Sequence, residues 1–221
     1  MASPLDLLLP PRCALCARAG PLVCAPCLCA LPLIGDACLR CGAPAERPLD
    51  ACAECRGRRL GFASARAVVA YEQGGRQLVH RFKDGGLRGL AGLAAGLVCL
   101  QVAAPAADLV TWVPPDGWRT IRRGYHPPEL LARELAGRWG LPAGPLLRAC
   151  GRRRPQRGLD PKARRANVRR AFQARGQAPP RVVLVDDVYT TGATLSACAD
   201  ALRRAGAGSV VALSLARAVR R

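Results

Sequence analysis

The stretch Arg181-Val-Val-Leu-Val-Asp-Asp-Val-Tyr-Thr-Thr-Gly-Ala-Thr-Leu195 decides how this chain folds. Val182 to Val185 is an unbroken run of branched apolar residues. Such a run suits a strand covered on both faces, as in a parallel sheet. Asp186 and Asp187 follow, then a short Thr/Gly loop, and a helix is expected to begin near Ala193. In open parallel sheets ligands bind beyond the carboxyl ends of the strands, where this reading puts the two acids. The loop offers backbone N–H groups, the hydroxyls of Thr190, Thr191 and Thr194, and a helix N-terminus. Unpaired amides and the helix dipole both favour an anion. Two acids able to hold sugar hydroxyls, beside a cradle for one phosphate, describe a sugar-phosphate site. An acid pair after a strand is by itself an ordinary solvated turn, and Thr-Gly an ordinary helix entry. It is the whole ordered run that favours the site.

Working outward, strands alternate with helices. Strands are expected over Arg66–Tyr71, Asp108–Val113 and Ser209–Leu215. Helices are expected over Gly75–Phe82, from Leu87 to about Val102, from Pro128 or Glu129 onward, and from Ala193 through about Arg204 with Gly206 near its end. Lys83-Asp-Gly-Gly86 reads as a turn by composition. This alternation argues for an α/β fold around a parallel sheet. Gly89–Ala107 is nearly free of polar residues, but its Ala, Gly and Pro105, and its lack of an aromatic belt, fit a buried helix better than a membrane span.

The N-terminal part is different in kind. Nine of the twelve cysteines lie between Cys13 and Cys55, and eight of them form Cys-x-x-Cys pairs: Cys13/Cys16, Cys24/Cys27, Cys38/Cys41 and Cys52/Cys55. A two-residue gap lets both thiolates of a pair reach one tetrahedral ion, and two pairs complete a four-cysteine zinc site. The pairs divide most simply into the first four and the second four cysteines, while a cross-braced division is also open. Disulfides would require an oxidising compartment. Met1–Pro11 lacks the basic start and long apolar stretch of a signal peptide, so a cytoplasmic, zinc-binding chain is expected. Cys29 lies outside the pattern, and Cys99, Cys150 and Cys198 stand in apolar surroundings that suit a core.

The chain of 221 residues carries a formal charge of +19. Up to Leu60 there are seven basic and five acidic residues; after it, twenty-seven and ten. Lys83 and Lys162 are the two lysines, so the rest of the positive charge is arginine, a group suited to bidentate phosphate recognition. Such a field favours polyanions. Two segments concentrate it. The loop after the Asp108 strand carries Arg119, Arg122 and Arg123, which could face the same crevice as the acid pair and suit a pyrophosphate. Between Arg148 and Arg175 eleven basic residues face Asp160 alone, among them Arg152, Arg153, Arg154, Arg157, Lys162, Arg164, Arg165, Arg169 and Arg170. Charges this dense repel unless solvent or a polyanion separates them, so the segment reads as a cover over a phosphate-rich ligand or as a strip for a nucleic-acid backbone.

The strand, acid pair and Thr-x-Gly-x-Thr-like loop resemble the signature of type I phosphoribosyltransferases. That resemblance implies that Asp186 and Asp187 contact the ribose 2′ and 3′ hydroxyls of phosphoribosyl pyrophosphate. It implies that Thr190, Thr191, Gly192, Ala193 and Thr194 hold its 5-phosphate, and that magnesium accompanies the pyrophosphate. A wider resemblance takes in nearly the whole chain. The cysteine module, Phe82-Lys83 before a Gly pair, Arg123-Gly-Tyr with Leu130-Leu-Ala, Gln156-x-Gly-Leu, Arg164-Arg-x-Asn-Val, Ala171-Phe and the signature occur in the order of the ComF family. That family implies a double zinc ribbon, here 1–60, followed by a phosphoribosyltransferase-like domain, here 61–221. It also implies a link to natural competence, with single-stranded DNA and a competence helicase as partners. Where the family commonly has Arg-Gly-Phe-Asn-Gln, this chain has Arg123-Gly-Tyr-His-Pro127, so no ligand contact is carried over to His126 or Pro127.

Three functions fit. One is a competence protein that handles incoming single-stranded DNA and senses or uses phosphoribosyl pyrophosphate. Another is a working transferase. Purine-salvage enzymes place a third acid where this chain has Thr190, and a neutral hydroxyl is a poor general base, so that activity is disfavoured. No nucleophilic glutaminase cysteine is evident, because Cys13 belongs to a knuckle pair. The third is transcriptional regulation, for which the chain offers no helix-turn-helix.

Overall fold

The computed structural model describes residues 12–115, 123–150 and 171–219. In chain order its elements begin with a short helix α1 (Ala25–Cys29), strand β1 (Ser64–Ala70), and helices α2 (Gln73–Asp84) and α3 (Leu90–Gln101). Strand β2 (Leu109–Trp112), helix α4 (Pro127–Trp139) and the short strands β3 (Leu147–Ala149) and β4 (Phe172–Ala174) follow. The chain closes with β5 (Arg181–Tyr189), α5 (Ala193–Arg204) and β6 (Ser209–Arg217). β1, β6, β5 and β2 form one parallel sheet in that spatial order, as the alternation of strands and helices implies.

The apolar run of β5 is unbroken because both faces of the sheet are covered. Val183 and Val185 pack with β6 residues Leu213 and Leu215 against Leu78, Val79 and Phe82 of α2, the apolar faces of α3 and α4, and Trp112. Val182 and Leu184 face the other way, onto Leu195, Cys198 and Leu202 of α5 and onto Leu147 and Phe172 of β3 and β4. Each such side chain contributes roughly 1.5–3 kcal/mol by leaving water, so the central strands are the best-anchored part of the sheet. Cys198 is fully buried, as its apolar neighbours in the chain imply.

β5 runs further than the apolar stretch alone suggests. It continues through Asp186, Asp187 and Val188 to Tyr189 because β6 keeps pairing alongside it: Asp186 with Ser214, Val188 with Ala216, Tyr189 with Arg217. β2 ends sooner, with Trp112 opposite Val185 and a last bond from the Val113 N–H to the Val185 carbonyl at 2.9 Å. The acids are therefore in a strand rather than beyond it, but they project past the end of the neighbouring strand. β6 likewise reaches Arg217, two residues past Leu215.

The segment that imitates a membrane span is α3, with Leu90, Ala91, Ala94, Ala95, Leu97 and Val98 buried. Its 12 residues extend about 18 Å against a hydrocarbon core of about 30 Å. No helix among the described residues is long and apolar enough to cross a membrane. The antiparallel pair β3–β4 has no counterpart in the sequence reading, since two strands of three residues each leave no measurable periodicity.

Candidate functional site

In the cysteine module the structure selects the simpler of the two divisions. Cys13, Cys16, Cys24 and Cys27 converge in one group, Cys38, Cys41, Cys52 and Cys55 in another, and within each the sulfurs all lie within 4.8 Å of one another. Close sulfur pairs are Cys16–Cys24 at 3.6 Å, Cys38–Cys55 at 3.6 Å and Cys41–Cys52 at 3.5 Å. Sulfurs placed tetrahedrally around zinc at 2.3 Å are about 3.8 Å apart, so both groups fit that ion. Backbone N–H groups point at the sulfurs, from Cys24 to Cys13 Sγ at 3.5 Å and from Cys52 to Cys38 Sγ at 3.3 Å. Cys13 and Cys38 feel burial, which raises a thiol pKa, yet backbone N–H groups bring both down to about 6. Their neighbours move the other way: hydrogen bonds with Cys24 and Cys16 push Cys27 up to about 12, and burial pushes Cys41 and Cys55 up. Four thiolates this close need a cation among them. All twelve cysteines are free thiols, so the disulfide alternative is not what the fold builds.

The two groups are attached differently. The first packs into the main core through Ala14, Val23 and Leu31, and Arg81 of α2 donates to the Ala14 carbonyl at 3.1 Å. The second forms its own small cluster with Ala43 and touches the sheet where β5 and β6 end. There Arg217, 1% exposed, donates to the Cys41 carbonyl at 2.8 Å, approaches Cys41 Sγ at 3.8 Å and pairs with Glu54 at 2.9 Å.

The acid pair lies at the same end of the sheet. Asp187 is 7% exposed and accepts a salt bridge from Lys83 Nζ at 2.9 Å. Asp186 accepts from the Asp187 backbone N–H at 2.9 Å. Burial of its carboxyl, reinforced by the charge of Asp187, raises the Asp186 pKa to about 8. Two buried polar atoms near the pair have no hydrogen-bond partner among the described residues. One is Oγ of Ser214, the neighbour of Asp186 in register; the other is His126 Nδ1, at the start of α4. Burial lowers the His126 pKa against the opposing charges of Asp187 and Glu129, which leaves a neutral imidazole at pH 7.

Lys83 and His126 reach the site because two turns are clipped together. Tyr125 donates its hydroxyl to the Phe82 carbonyl at 2.5 Å, and Arg88 donates to the Gly124 carbonyl at 2.7 Å. Arg123, expected at a pyrophosphate, pairs with Asp84 at 2.8 Å on this rim. Arg122 lies outside the described residues, as do Arg152, Arg153, Arg154, Arg157, Lys162, Arg164, Arg165, Arg169 and Arg170. The sequence reading names neither Lys83 nor His126 as a site residue. The signal for Lys83 is its being a lysine at all, in a chain whose positive charge is otherwise nearly all arginine.

Beyond Tyr189 the loop opens. Thr190, Thr191 and Ala193 are exposed and Thr194 is half-buried. Gly192 takes φ +73°, and a Cβ there would collide with the Tyr189 hydroxyl, so the turn requires glycine. α5 starts at Ala193, whose N–H donates to Thr191 Oγ1 at 3.3 Å; Gly192 supplies no side-chain cap and the first turn has no acid, which leaves the amides that follow to an anion. At the opposite end of α5 an open cavity of about 630 Å³ is lined by Arg148, Arg175 and Arg204 with Gln173 and small residues. Arg148 donates to Gln173 Oε1 at 2.6 Å and Arg175 to the Leu147 carbonyl at 3.1 Å. No carboxylate is in its lining among the described residues.

Known proteins resemble this chain over most of its length. It is 29% identical to DNA utilization protein YhgH of Salmonella typhi over 209 residues, 88% of this chain and 90% of that one. The protein of that name from Shigella flexneri is 28% identical over 192 residues, 81% and 83% of the two chains. Competence protein F of Haemophilus influenzae is 37% identical over 111 residues, and that match spans 48% of each chain, about half the length of the relative. With two four-cysteine groups ahead of a parallel sheet, the relationship is decided. The chain is a homologue of proteins that bear these two names. No family model matches it. A crystal structure from Thermus thermophilus covers 61% of this chain and 83% of its own at 22% identity and TM-score 0.32, too remote to carry an argument.

Proposed function

We propose that the carboxyl end of β5 binds phosphoribosyl pyrophosphate, and that the protein serves DNA uptake in natural competence by handling single-stranded DNA. One observation carries the ligand: two adjacent carboxylates projecting past β2, directly followed by a glycine turn and a helix N-terminus with no acid in its first turn. The carboxyl oxygens of Asp186 and Asp187 accept from the ribose 2′ and 3′ hydroxyls, and the loop amides with the Thr190, Thr191 and Thr194 hydroxyls receive the 5-phosphate. Magnesium arrives with the pyrophosphate, whose oxygens suit that hard cation. The unpaired Ser214 and His126 atoms fit a pocket made for a polar ligand. The names of the relatives support DNA uptake, and the positive charge supports a phosphate backbone as partner. The arginine cavity borders the two strands, β3 and β4, that bracket the basic segment 151–170, so backbone binding would extend from one to the other. A competence helicase is the protein partner this reading favours, and a cytoplasmic site of action follows from it.

Titration calorimetry with phosphoribosyl pyrophosphate, with and without magnesium and with single-stranded DNA, tests the proposal. Asp186→Ala with Asp187→Ala should abolish sugar-pyrophosphate binding and leave the fold intact, because the acids, though buried, lie past the end of β2 and belong to neither apolar cluster of the sheet. Unchanged affinity in the double variant rejects the site.

A working transferase is the second reading. His126 favours it: a neutral imidazole with an unpaired nitrogen, close enough to Asp187 for that charge to act on it, could accept a proton from an incoming nucleophile. Thr190 at the third-acid position offers no such help. Pyrophosphate release in the presence of candidate acceptors, lost in His126→Ala, separates this reading from binding alone.

A further inference from the structure

The second four-cysteine group and the loop after β5 are joined by interactions that neither a zinc ribbon nor a phosphate cradle requires by itself. Arg217 is the centre of them. It is the register partner of Tyr189, and its guanidinium lies 4.0 Å from the centre of the Tyr189 ring. The same guanidinium donates to the Cys41 carbonyl at 2.8 Å, lies 3.8 Å from Cys41 Sγ and pairs with Glu54 at 2.9 Å, while its Nε has no partner among the described residues. Tyr189 in turn lies directly beneath Gly192, so closely that a Cβ on that glycine would be 2.5 Å from the ring carbon bearing the hydroxyl. The Tyr189 hydroxyl has no hydrogen-bond partner among the described residues, which leaves packing and the cation above the ring as what positions it.

A second strut runs in parallel. Arg58, three residues past Cys55, donates to the Thr191 carbonyl at 2.8 Å, and Arg40, between Cys38 and Cys41, donates to the Arg58 carbonyl at 2.6 Å and the Cys55 carbonyl at 3.1 Å. Both knuckles of the second group are thus tied to the backbone that leads into the Gly192 turn, at Tyr189 and at Thr191. The first group shows no such tie to this loop among the described residues.

We propose that the second cysteine group is the support of the 190–194 loop, with Arg217 the positioning residue that transmits metal occupancy at Cys38, Cys41, Cys52 and Cys55 to the backbone that receives the phosphate. The electrostatics give the direction. Four thiolates around a divalent ion leave an excess of negative charge, which holds a buried guanidinium at Cys41 and so over Tyr189. Without the ion nothing holds the two knuckles together, the Cys41 carbonyl that anchors Arg217 moves with its knuckle, and the arginine keeps Glu54 as its one carboxylate partner among the described residues. The ring and the turn above it then lose their floor. Affinity for a phosphorylated sugar becomes dependent on a metal that never touches it. The proposal rests on the loop being the phosphate cradle, but the support itself can be measured without any ligand.

The test compares wild type with Cys52→Ser, Cys16→Ser and Arg217→Lys in the full-length protein. Zinc content, amide hydrogen exchange of the 189–195 backbone, and calorimetry with magnesium phosphoribosyl pyrophosphate are read on each. Cys52→Ser should keep one zinc ion, exchange the loop amides at least tenfold faster and bind the ligand at least tenfold more weakly. Cys16→Ser should also keep one zinc ion, with loop exchange and affinity within about twofold of wild type. Arg217→Lys keeps a positive charge for Glu54 but loses the planar face over Tyr189. It should retain both ions, speed loop exchange at least fivefold, and serve as the deciding variant should Cys52→Ser unfold. Loop protection equal to wild type in folded Arg217→Lys overturns the proposal, as do equal losses in both cysteine variants. If wild type binds no sugar pyrophosphate, the functional reading fails, while the exchange data still decide the support.

Discussion

Asp186 sits where a carboxyl is costly to ionise. Its pKa of about 8, against an ordinary 3.8, means that the folded protein keeps a proton which the unfolded chain has released throughout that interval. The folded state binds more protons there, so this group's contribution to stability is present below pH 4 and is lost as pH rises toward 8. Denaturant melts across that window should show Asp186→Asn flattening the decline; an identical pH slope in the variant would mean the proton is held elsewhere. Lys83 has the complementary role. Lys83→Met leaves the buried Asp187 carboxylate without its partner, and because the lysine side chain is 28% exposed the expected cost is only about 1–2 kcal/mol, read from the same melts. Gly192→Ala forces a left-handed residue onto the Tyr189 ring. A loss of roughly 1–2 kcal/mol should come with weaker sugar-phosphate binding, since the strain falls on the cradle itself.

At the level of elements, the site is made by a mismatch in length. β5 and β6 continue together past the point where β2 stops, so the acids have a paired strand on one side and open space on the other. α2 and α4 supply Lys83 and His126 to that space because Tyr125 ties their ends together. The cysteine groups are elements of another sort, whose folding and metal binding are one equilibrium. Protein purified without chelator should contain two zinc ions per chain, measured by atomic absorption, and Cys38→Ser should contain one. A single ion in wild type would show that one of the two sulfur groups does not close on metal.

Across the whole molecule, charge is the dominant fact. Arg148, Arg175 and Arg204 line one cavity that has no carboxylate among the described residues, and the segment of 151–170 that joins β3 to β4 adds nine more basic residues. Single-stranded DNA bound through phosphates should show little sequence preference and a steep salt dependence. Replacing the three cavity arginines by alanine should lower the slope of log affinity against log salt by roughly 0.7 for each phosphate that is no longer neutralised, measured by fluorescence anisotropy. Arg164, Arg165, Arg169 and Arg170 form the matching set in the segment itself. If the cavity variant keeps the full slope while the segment variant loses it, backbone binding belongs to the segment. Loss of sugar-pyrophosphate binding in the segment variant alone would assign it to the ligand cover.

Local chemistry was what the sequence could determine. Four apolar residues in a row announced a doubly covered strand, and Cys-x-x-Cys spacing announced metal knuckles, because each signal is set by neighbours in the chain. Asp186, Asp187 and the Thr190–Thr194 loop were legible for the same reason, as one continuous run. The end of β5 was not, because a strand stops where its partners stop, and β6 lies some twenty residues further on. The division of the cysteines was open by spacing and was decided by which knuckles the backbone folds together. Lys83, His126 and Arg217 belong to separate elements, distant in sequence from the groups they serve, and they became functional candidates only when the sheet brought their ends to one place. Arg217 is the clearest case: in the sequence it is one more arginine after a strand, and in the fold it is buried against Cys41 and Tyr189, between the second cysteine group and the end of β5.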